Sequence, residues 1–113
     1  MNVPNHYLDD VIRLFDIPKA PAKLLKLLVY RAFQGRIRLR DFERIQLCDE
    51  LKINRQTLAN YTNILSKKNI LKRMYRNEYQ LNDQLFSQNR KIIFTQITVD
   101  YIDGERVISG SSP

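Results

Sequence analysis

Apolar positions recur along the first two thirds of the chain at helical spacing, interrupted by prolines and by short alternating runs. Leu8, Val11, Ile12 and Phe15 stand three or four apart, which predicts an amphipathic helix over residues 5–16 with Asn5 as N-cap. Pro18 and Pro21 then punctuate the chain, and Pro21 suits the first turn of a second helix, where its missing N–H costs nothing. That helix carries Leu24, Leu25, Leu27, Leu28, Val29, Ala32 and Phe33, is expected to end at Gly35, and is apolar enough to form the centre of the core. Arg36-Ile37-Arg38-Leu39 alternates polar and apolar, the mark of a short half-buried strand.

Phe42, Ile45, Cys48 and Leu51 follow at intervals of three, with Leu47 beside them, and predict a helix over 41–52 capped by Asp41. Lys52-Ile53-Asn54 reads as a turn in which Ile53 plugs the core and the Asn54 side chain caps the next helix. That helix, residues 55–67, is expected to bury Leu58, Tyr61 and Leu65, with Ile64 beside them. Asn69 suits the left-handed residue that closes it. Residues 70–75 and 78–81 alternate as two strands joined around Arg76-Asn77. Past Asn82 the pattern weakens. Residues 95–101 and 106–109 predict a second hairpin around Asp103-Gly104, within a C-terminal β element over 92–109. Residues 110–113 are expected to be disordered.

A short helix, a tight turn, a polar-faced helix and a hairpin thus follow without a gap over 45–82. In a winged helix-turn-helix this order presents one helix to the DNA major groove and a hairpin to the flanking backbone. The expected fold class is α+β, mainly α with small β: an N-terminal helical pair, the helix-turn-helix at 41–68, a wing at 70–82 and the C-terminal β element. All of it belongs to one domain, 1–109. The length of 113 residues has room for no second core.

Charge sharpens this picture. Between Arg31 and Gln80 lie twelve Lys and Arg against five Asp and Glu, which equals the net +7 of the whole chain. The excess therefore sits on residues 31–80, the stretch that holds the motif, and it predicts attraction to polyanions. An outward stripe of Arg55, Gln56, Asn60 and Asn63, with the small Ala59, has the chemistry for base edges. Arg matches guanine O6 and N7, and Gln or Asn matches adenine. Asn54 and Thr57 at the helix start suit a phosphate. Lys67 at the helix end, with Lys68 beside it, suits a backbone contact, and Lys72, Arg73 and Arg76 on the wing suit phosphate or the minor groove. Tyr61, Tyr75 and Tyr79 have the chemistry to stack on bases, yet their spacing beside apolar neighbours predicts core positions.

Other classes find little support. Three glycines leave no phosphate-cradling loop, and the lone His6 offers no base for a nucleophile, so no catalytic residue is assigned and an enzyme is not expected. One histidine and one cysteine exclude a conventional zinc site within the chain, and no cofactor is expected. Cys48 alone makes no internal disulfide, which predicts a reducing cytoplasm, and it is read as a small core residue. No apolar run approaches the ~20 residues of a membrane span, and the N-terminus lacks the shape of a signal peptide.

Leu47-Cys48-x-x-Leu51, Ile53-Asn54-Arg55-Gln56-Thr57, Leu65-x-Lys67-Lys68-x-Ile70-Leu71 and Glu78-Tyr79-Gln80-Leu81-Asn82 together resemble the small winged-helix replication proteins of bacterial plasmids and phages, the replication protein L group. In that group the wing commonly exits through Tyr-x-Leu-Asn-Pro; here Asp83 stands at the proline position, and Leu85-Phe86 keeps the apolar follow-on. The resemblance covers roughly residues 36–86 and implies double-stranded DNA as the partner, in replication or maintenance. By the same resemblance Asn54, Arg55, Gln56, Asn60 and Asn63 would read DNA, with wing contacts from Arg73 and Arg76. Because the helix-turn-helix part is shared with many bacterial regulators, transcriptional regulation is the alternative. A protein-interaction module on the same scaffold, and an RNA or single-strand binder, are further rivals. Helix 5–16 and the strands at 92–101 offer apolar surface for a homodimer or for a replication or transcription protein.

Overall fold

In the computed structural model residues 3–86 are described with their side chains, and the backbone of three further strands is described beyond them. The elements run α1 (Asn5–Leu14), α2 (Lys19–Arg31), β1 (Arg36–Arg38), α3 (Asp41–Leu51), α4 (Arg55–Lys67), β2 (Leu71–Tyr75), β3 (Glu78–Leu81), β4 (Arg90–Phe94), β5 (Ile97–Ile102) and β6 (Glu105–Gly110). The chain is an α+β protein whose helices pack against a three-stranded antiparallel sheet.

Three helices stop by one device. Asp16 (φ 52°), Lys52 (φ 56°) and Asn69 (φ 61°) each turn left-handed after a helix. Each is followed by an isoleucine whose N–H reaches back five residues: Ile17 to Ile12 O, Ile53 to Cys48 O and Ile70 to Leu65 O. This closes orphan carbonyls and drives an apolar side chain back under the helix it terminates. Ile17 and Ile70 are buried. Asn69 was foreseen in this role, and Ile53 does pack against the core.

Helix starts differ from expectation. Asn5 is not the N-cap of α1: Pro4 holds that place in extended conformation, and Asn5 lies inside the first turn. Asp41 is likewise the first helical residue of α3, with Arg40 as N-cap. The Arg40 N–H is met by Glu43 Oε1 at 3.0 Å. Pro21 does sit in the first turn of α2, two residues after its start. That helix ends at Arg31, short of Gly35. Gln34 (φ 52°) and Gly35 (φ 77°) instead form a two-residue loop in which Phe33 and Arg36 exchange both backbone hydrogen bonds. Two successive positive φ values suit the primed hairpin turn, and glycine takes the second at little cost. Phe33 is consequently carried out of the core and is 76% exposed.

The core is built from Tyr7, Leu8 and Val11 of α1, Leu24, Leu25, Leu28 and Val29 of α2, Leu47 of α3, and Leu58 and Leu65 of α4, closed by Ile37, Tyr79 and Leu81 of the sheet. On α4 the third fully inward residue is Thr62, whose hydroxyl donates to Leu58 O at 2.9 Å; Tyr61 is only half-buried. On α3 the expected apolar face is wrong. Phe42 (66% exposed) and Ile45 (53% exposed) face solvent, Cys48 and Leu51 are half-buried against the core, and Leu47 alone is fully inside.

The sheet has the order β1-β3-β2. β1 pairs antiparallel with β3 through Arg36↔Gln80, Ile37↔Tyr79 and Arg38↔Glu78, and Leu39 N–H to Asn77 O (2.7 Å) and Leu81 N–H to Gly35 O (2.8 Å) extend the ladder at both ends. β2 is the outer strand of the 71–81 hairpin. Asn82 fixes the exit: its N–H donates to Ile70 O and its Nδ2 to Asn69 O at 2.8 Å. The chain then returns to α1, where the Tyr7 hydroxyl donates to Leu85 O and the Tyr7 and Phe86 rings meet edge to face at 5.9 Å. Tyr7, Leu8 and Val11 of α1 thus face the inside of the molecule, with Ile12, Leu14 and Phe15 half-buried beside them.

Beyond this, β4, β5 and β6 form a three-stranded antiparallel meander, one strand more than the expected hairpin. Strand structure is expected from residue 92; Arg90-Lys91-Ile92-Ile93-Phe94 has no alternation to mark it as a separate strand starting at Arg90. The foreseen pairing is present as β5 against β6, from Ile97↔Gly110 to Ile102↔Glu105. Gly110, expected in a disordered tail, closes β6 opposite Ile97; Thr95-Gln96, the Asp103-Gly104 turn and residues 111–113 lie outside the described residues.

Candidate nucleic-acid interface

α4 starts where Asn54 Oδ1 accepts the Thr57 N–H at 2.7 Å, so Asn54 is its N-cap. Those two groups satisfy one another, and Thr57 is half-buried. Neither the Asn54 oxygen nor the Thr57 N–H is open to a phosphate in this arrangement.

At about 100° per residue, Gln56, Asn60, Asn63 and Lys67 fall on one line along α4. All four are exposed. Gln56 Nε2 donates to Asn60 Oδ1 at 3.2 Å, which couples the first two amides and fixes their sense. The line contains no acid. Arg55 lies off it, on the flank toward α3, where its Nη2 donates to Asp41 Oδ1 at 2.6 Å. The expected stripe thus divides into an amide row ending in a lysine and an arginine held by an aspartate. Asp41 was assigned a capping role from its position alone; nothing local in the sequence marks a partner on the next helix.

The two lysines at the end of α4 take different roles. Lys68 Nζ donates to Phe15 O at 3.1 Å, tying α4 to the end of α1. Lys67 remains on the exposed line.

An open groove of about 800 Å³ continues from the end of α4 onto the hairpin, lined among others by Ser66, Asn69, Lys72, Arg73 and Met74. Lys72, Arg73 and Arg76 are all exposed. They do not share a face. Lys72 stands opposite Gln80, itself opposite Arg36, on the outer side of the sheet, whereas Arg73 stands opposite Tyr79 on the core side. Arg73 Nη2 donates to Arg76 O at 3.0 Å and braces the turn. Tyr75, expected in the core, is 66% exposed. The alternation that predicted it inside ignores that β2 is an edge strand running past the helices, where both faces are wet. Tyr79, on the central strand, is buried as expected.

A second cleft, of about 460 Å³, lies between β1, the end of α2 and the start of α3. Its floor is Leu28, Ile37, Leu39 and Leu47, and Arg31, Arg36, Arg38 and Arg40 stand around it. Three of these arginines already face acids: Arg31 bonds Glu50, Arg36 lies 3.6 Å from Glu78 and Arg40 lies 2.8 Å from Glu43. The Arg40 guanidinium, hydrogen-bonded to Glu43, holds that carboxyl below its ordinary range. Much of the formal positive charge of residues 31–44 is thus matched locally. Among the described residues Lys67 on the α4 line and Lys72, Arg73 and Arg76 on the hairpin have no acid partner, and neither do Lys19, Lys23, Arg38, Arg44 and Lys52 elsewhere on the chain.

Among the described residues no helix is long and apolar enough to cross a membrane. No protein-family model, no curated protein and no solved structure matches the chain.

Proposed function

We propose that the chain is a winged helix-turn-helix protein that binds double-stranded DNA sequence-specifically. In this reading α4 lies in the major groove and the β2–β3 hairpin is a wing on the adjacent backbone. The observation that carries it is the acid-free exposed line Gln56, Asn60, Asn63 and Lys67 on α4, with a groove lined by Lys72 and Arg73 beginning at Ser66 near the end of the same helix. Amides supply the donor–acceptor pairs that adenine edges require, and the flanking cations supply phosphate contacts. Arg55, released from Asp41, supplies the fork for guanine. The α3–turn–α4 sequence and the strand order β1-β3-β2 support the docking geometry, because they put the hairpin beside the end of α4.

The resemblance of residues 36–86 to plasmid and phage replication proteins makes replication or maintenance, in a bacterial cytoplasm, the setting of this reading. Transcriptional regulation by the same interface is its alternative. Fluorescence-anisotropy titration against duplexes tiled from the protein's own locus tests it, with random duplex and single strands as controls at two salt concentrations. Repeated tight sites in or beside the coding region support replication. A lone site over the promoter supports regulation. Equal binding to all duplexes removes the sequence-specific reading.

A further inference from the structure

The hairpin carries an apolar tip that phosphate contact does not use. Met74 and Tyr75 close β2, 38% and 66% exposed, between Arg73 and the turn residue Arg76. The ladder to β3 skips Met74: Arg73 pairs with Tyr79 and Tyr75 with Glu78, a bulge that twists the strand end and re-aims both side chains. Two bonds stiffen this end, Arg73 Nη2 to Arg76 O at 3.0 Å and Leu39 N–H to Asn77 O at 2.7 Å, which anchors the turn to the segment before α3. An exposed aromatic and a thioether on a braced tip, bracketed by Lys72, Arg73 and Arg76, have the composition of a groove wedge. Cations hold the phosphates on either side while an apolar group enters between bases.

We propose that Tyr75, backed by Met74, inserts into the DNA minor groove beside the site read by α4 and partly unstacks one base step, kinking the duplex toward the major groove. This rests on the duplex-binding reading above and adds DNA deformation to it. Pyrimidine–purine steps unstack most easily, so the inserted position selects TA or CA/TG although no side chain reads its base edges. The Tyr75 ring supplies the stacking surface.

The test uses the full chain and a duplex chosen by the anisotropy screen, labelled at both ends for energy transfer and carrying 2-aminopurine at successive steps under the hairpin. Parent protein is expected to shorten the end-to-end distance and to raise 2-aminopurine emission at one step. Tyr75→Ala is expected to lose both signals with affinity reduced about tenfold or less, and Tyr75→Phe to keep them. Because Tyr75 is exposed, each variant should melt like the parent, and a melting curve checks this. If Tyr75→Ala binds and bends the duplex as the parent does, the wedge is overturned and the duplex reading stands. If Tyr75→Ala loses binding to single strands instead, with no bend in any duplex, the ring is a single-strand stacking platform and the wedge is again overturned. If the parent prefers no duplex over random DNA, both readings fall together.

Discussion

Arg55, the first residue of α4, donates from Nη2 to Oδ1 of Asp41, the first residue of α3, at 2.6 Å. Both side chains are mostly exposed, 59% and 86%, so the pair adds roughly 0–1 kcal/mol to folding. In the proposed duplex-binding mode its consequence lies in binding: an aspartate stands beside the arginine proposed to meet guanine.

Removing that aspartate should loosen discrimination. Asp41→Asn frees Arg55 and deletes a negative charge from the surface proposed to meet phosphate. Binding to random duplex is expected to tighten several-fold and the cognate-to-random ratio to fall, while stability changes by less than ~1 kcal/mol. Arg55→Ala should instead weaken the cognate site by ~1–3 kcal/mol and relax one base position. Anisotropy titrations of both variants against the same duplex pair separate the two effects. If neither Arg55→Ala nor Gln56→Ala alters function, α4 is not the reading helix and the interaction-module rival gains.

Asn54 is the N-cap of α4, whatever its part in the proposed DNA contact. Its Oδ1 meets the Thr57 N–H at 2.7 Å. Asn54→Ala should therefore cost about 1 kcal/mol in urea unfolding, and Asn54→Ser, another good cap, should recover most of it. If Asn54→Ser restores stability but not DNA affinity, the amide also contacts DNA.

How far the sequence led can be argued from α3. Its three-residue spacing put Phe42, Ile45, Cys48 and Leu51 on one face and named the right helix, but a helix of 3.6 residues per turn drifts away from a strict spacing of three. The buried residue is Leu47, and Phe42 and Ile45 lie outside. Segments with a chemical signature fared better. Pro21 in a first turn, Asn54 as a cap and Asn69 in the left-handed region were each readable from one residue's own geometry. What could not be read were pairings across elements. Asp41 with Arg55, Lys68 with Phe15 O and Tyr7 with Leu85 O join residues far apart in sequence. The position of β2 at the sheet edge, which exposes Tyr75, is also a property of topology.

The same contrast gives a stability prediction. Phe42→Ser is expected to change unfolding free energy by no more than ~0.5 kcal/mol, because the ring is solvated. Leu47→Ala should cost ~2–5 kcal/mol by leaving a cavity under α3. Comparable losses for the two in chemical denaturation would mean that Phe42 is covered in solution.

Tyr7 tests whether the chain beyond the hairpin is part of the same cooperative unit. Its ring is fully buried against Phe86, and its hydroxyl donates to Leu85 O. Tyr7→Phe keeps the packing and strands a buried carbonyl, for a loss of ~1–3 kcal/mol. Tyr7→Ala should lose ~3–5 kcal/mol. Hydrogen exchange should show residues 82–86 opening together with α1 in both variants. Faster exchange confined to 82–86 would mean that the exit segment docks independently.

Glu43 supplies a pH dependence of known sign. Its Oε1 accepts from Arg40 Nε at 2.8 Å and from the Arg40 N–H at 3.0 Å. The side-chain bond to Arg40 is the main reason its carboxyl titrates below the ordinary 4.5. A carboxyl whose folded value is lowered adds stability that is complete above the unfolded value, where both states are ionised. As pH falls through about 4.5, the unfolded chain takes up the proton first and stability begins to drop. The contribution is gone once pH passes below the folded value. Glu43→Gln removes the charged acceptor. Its deficit relative to the parent in urea unfolding should therefore be present at neutral pH and shrink as pH falls through and below 4.5. A deficit that stays constant down to strong acid would show that Glu43 acts through packing alone, and that the start of α3 is not held by its charge.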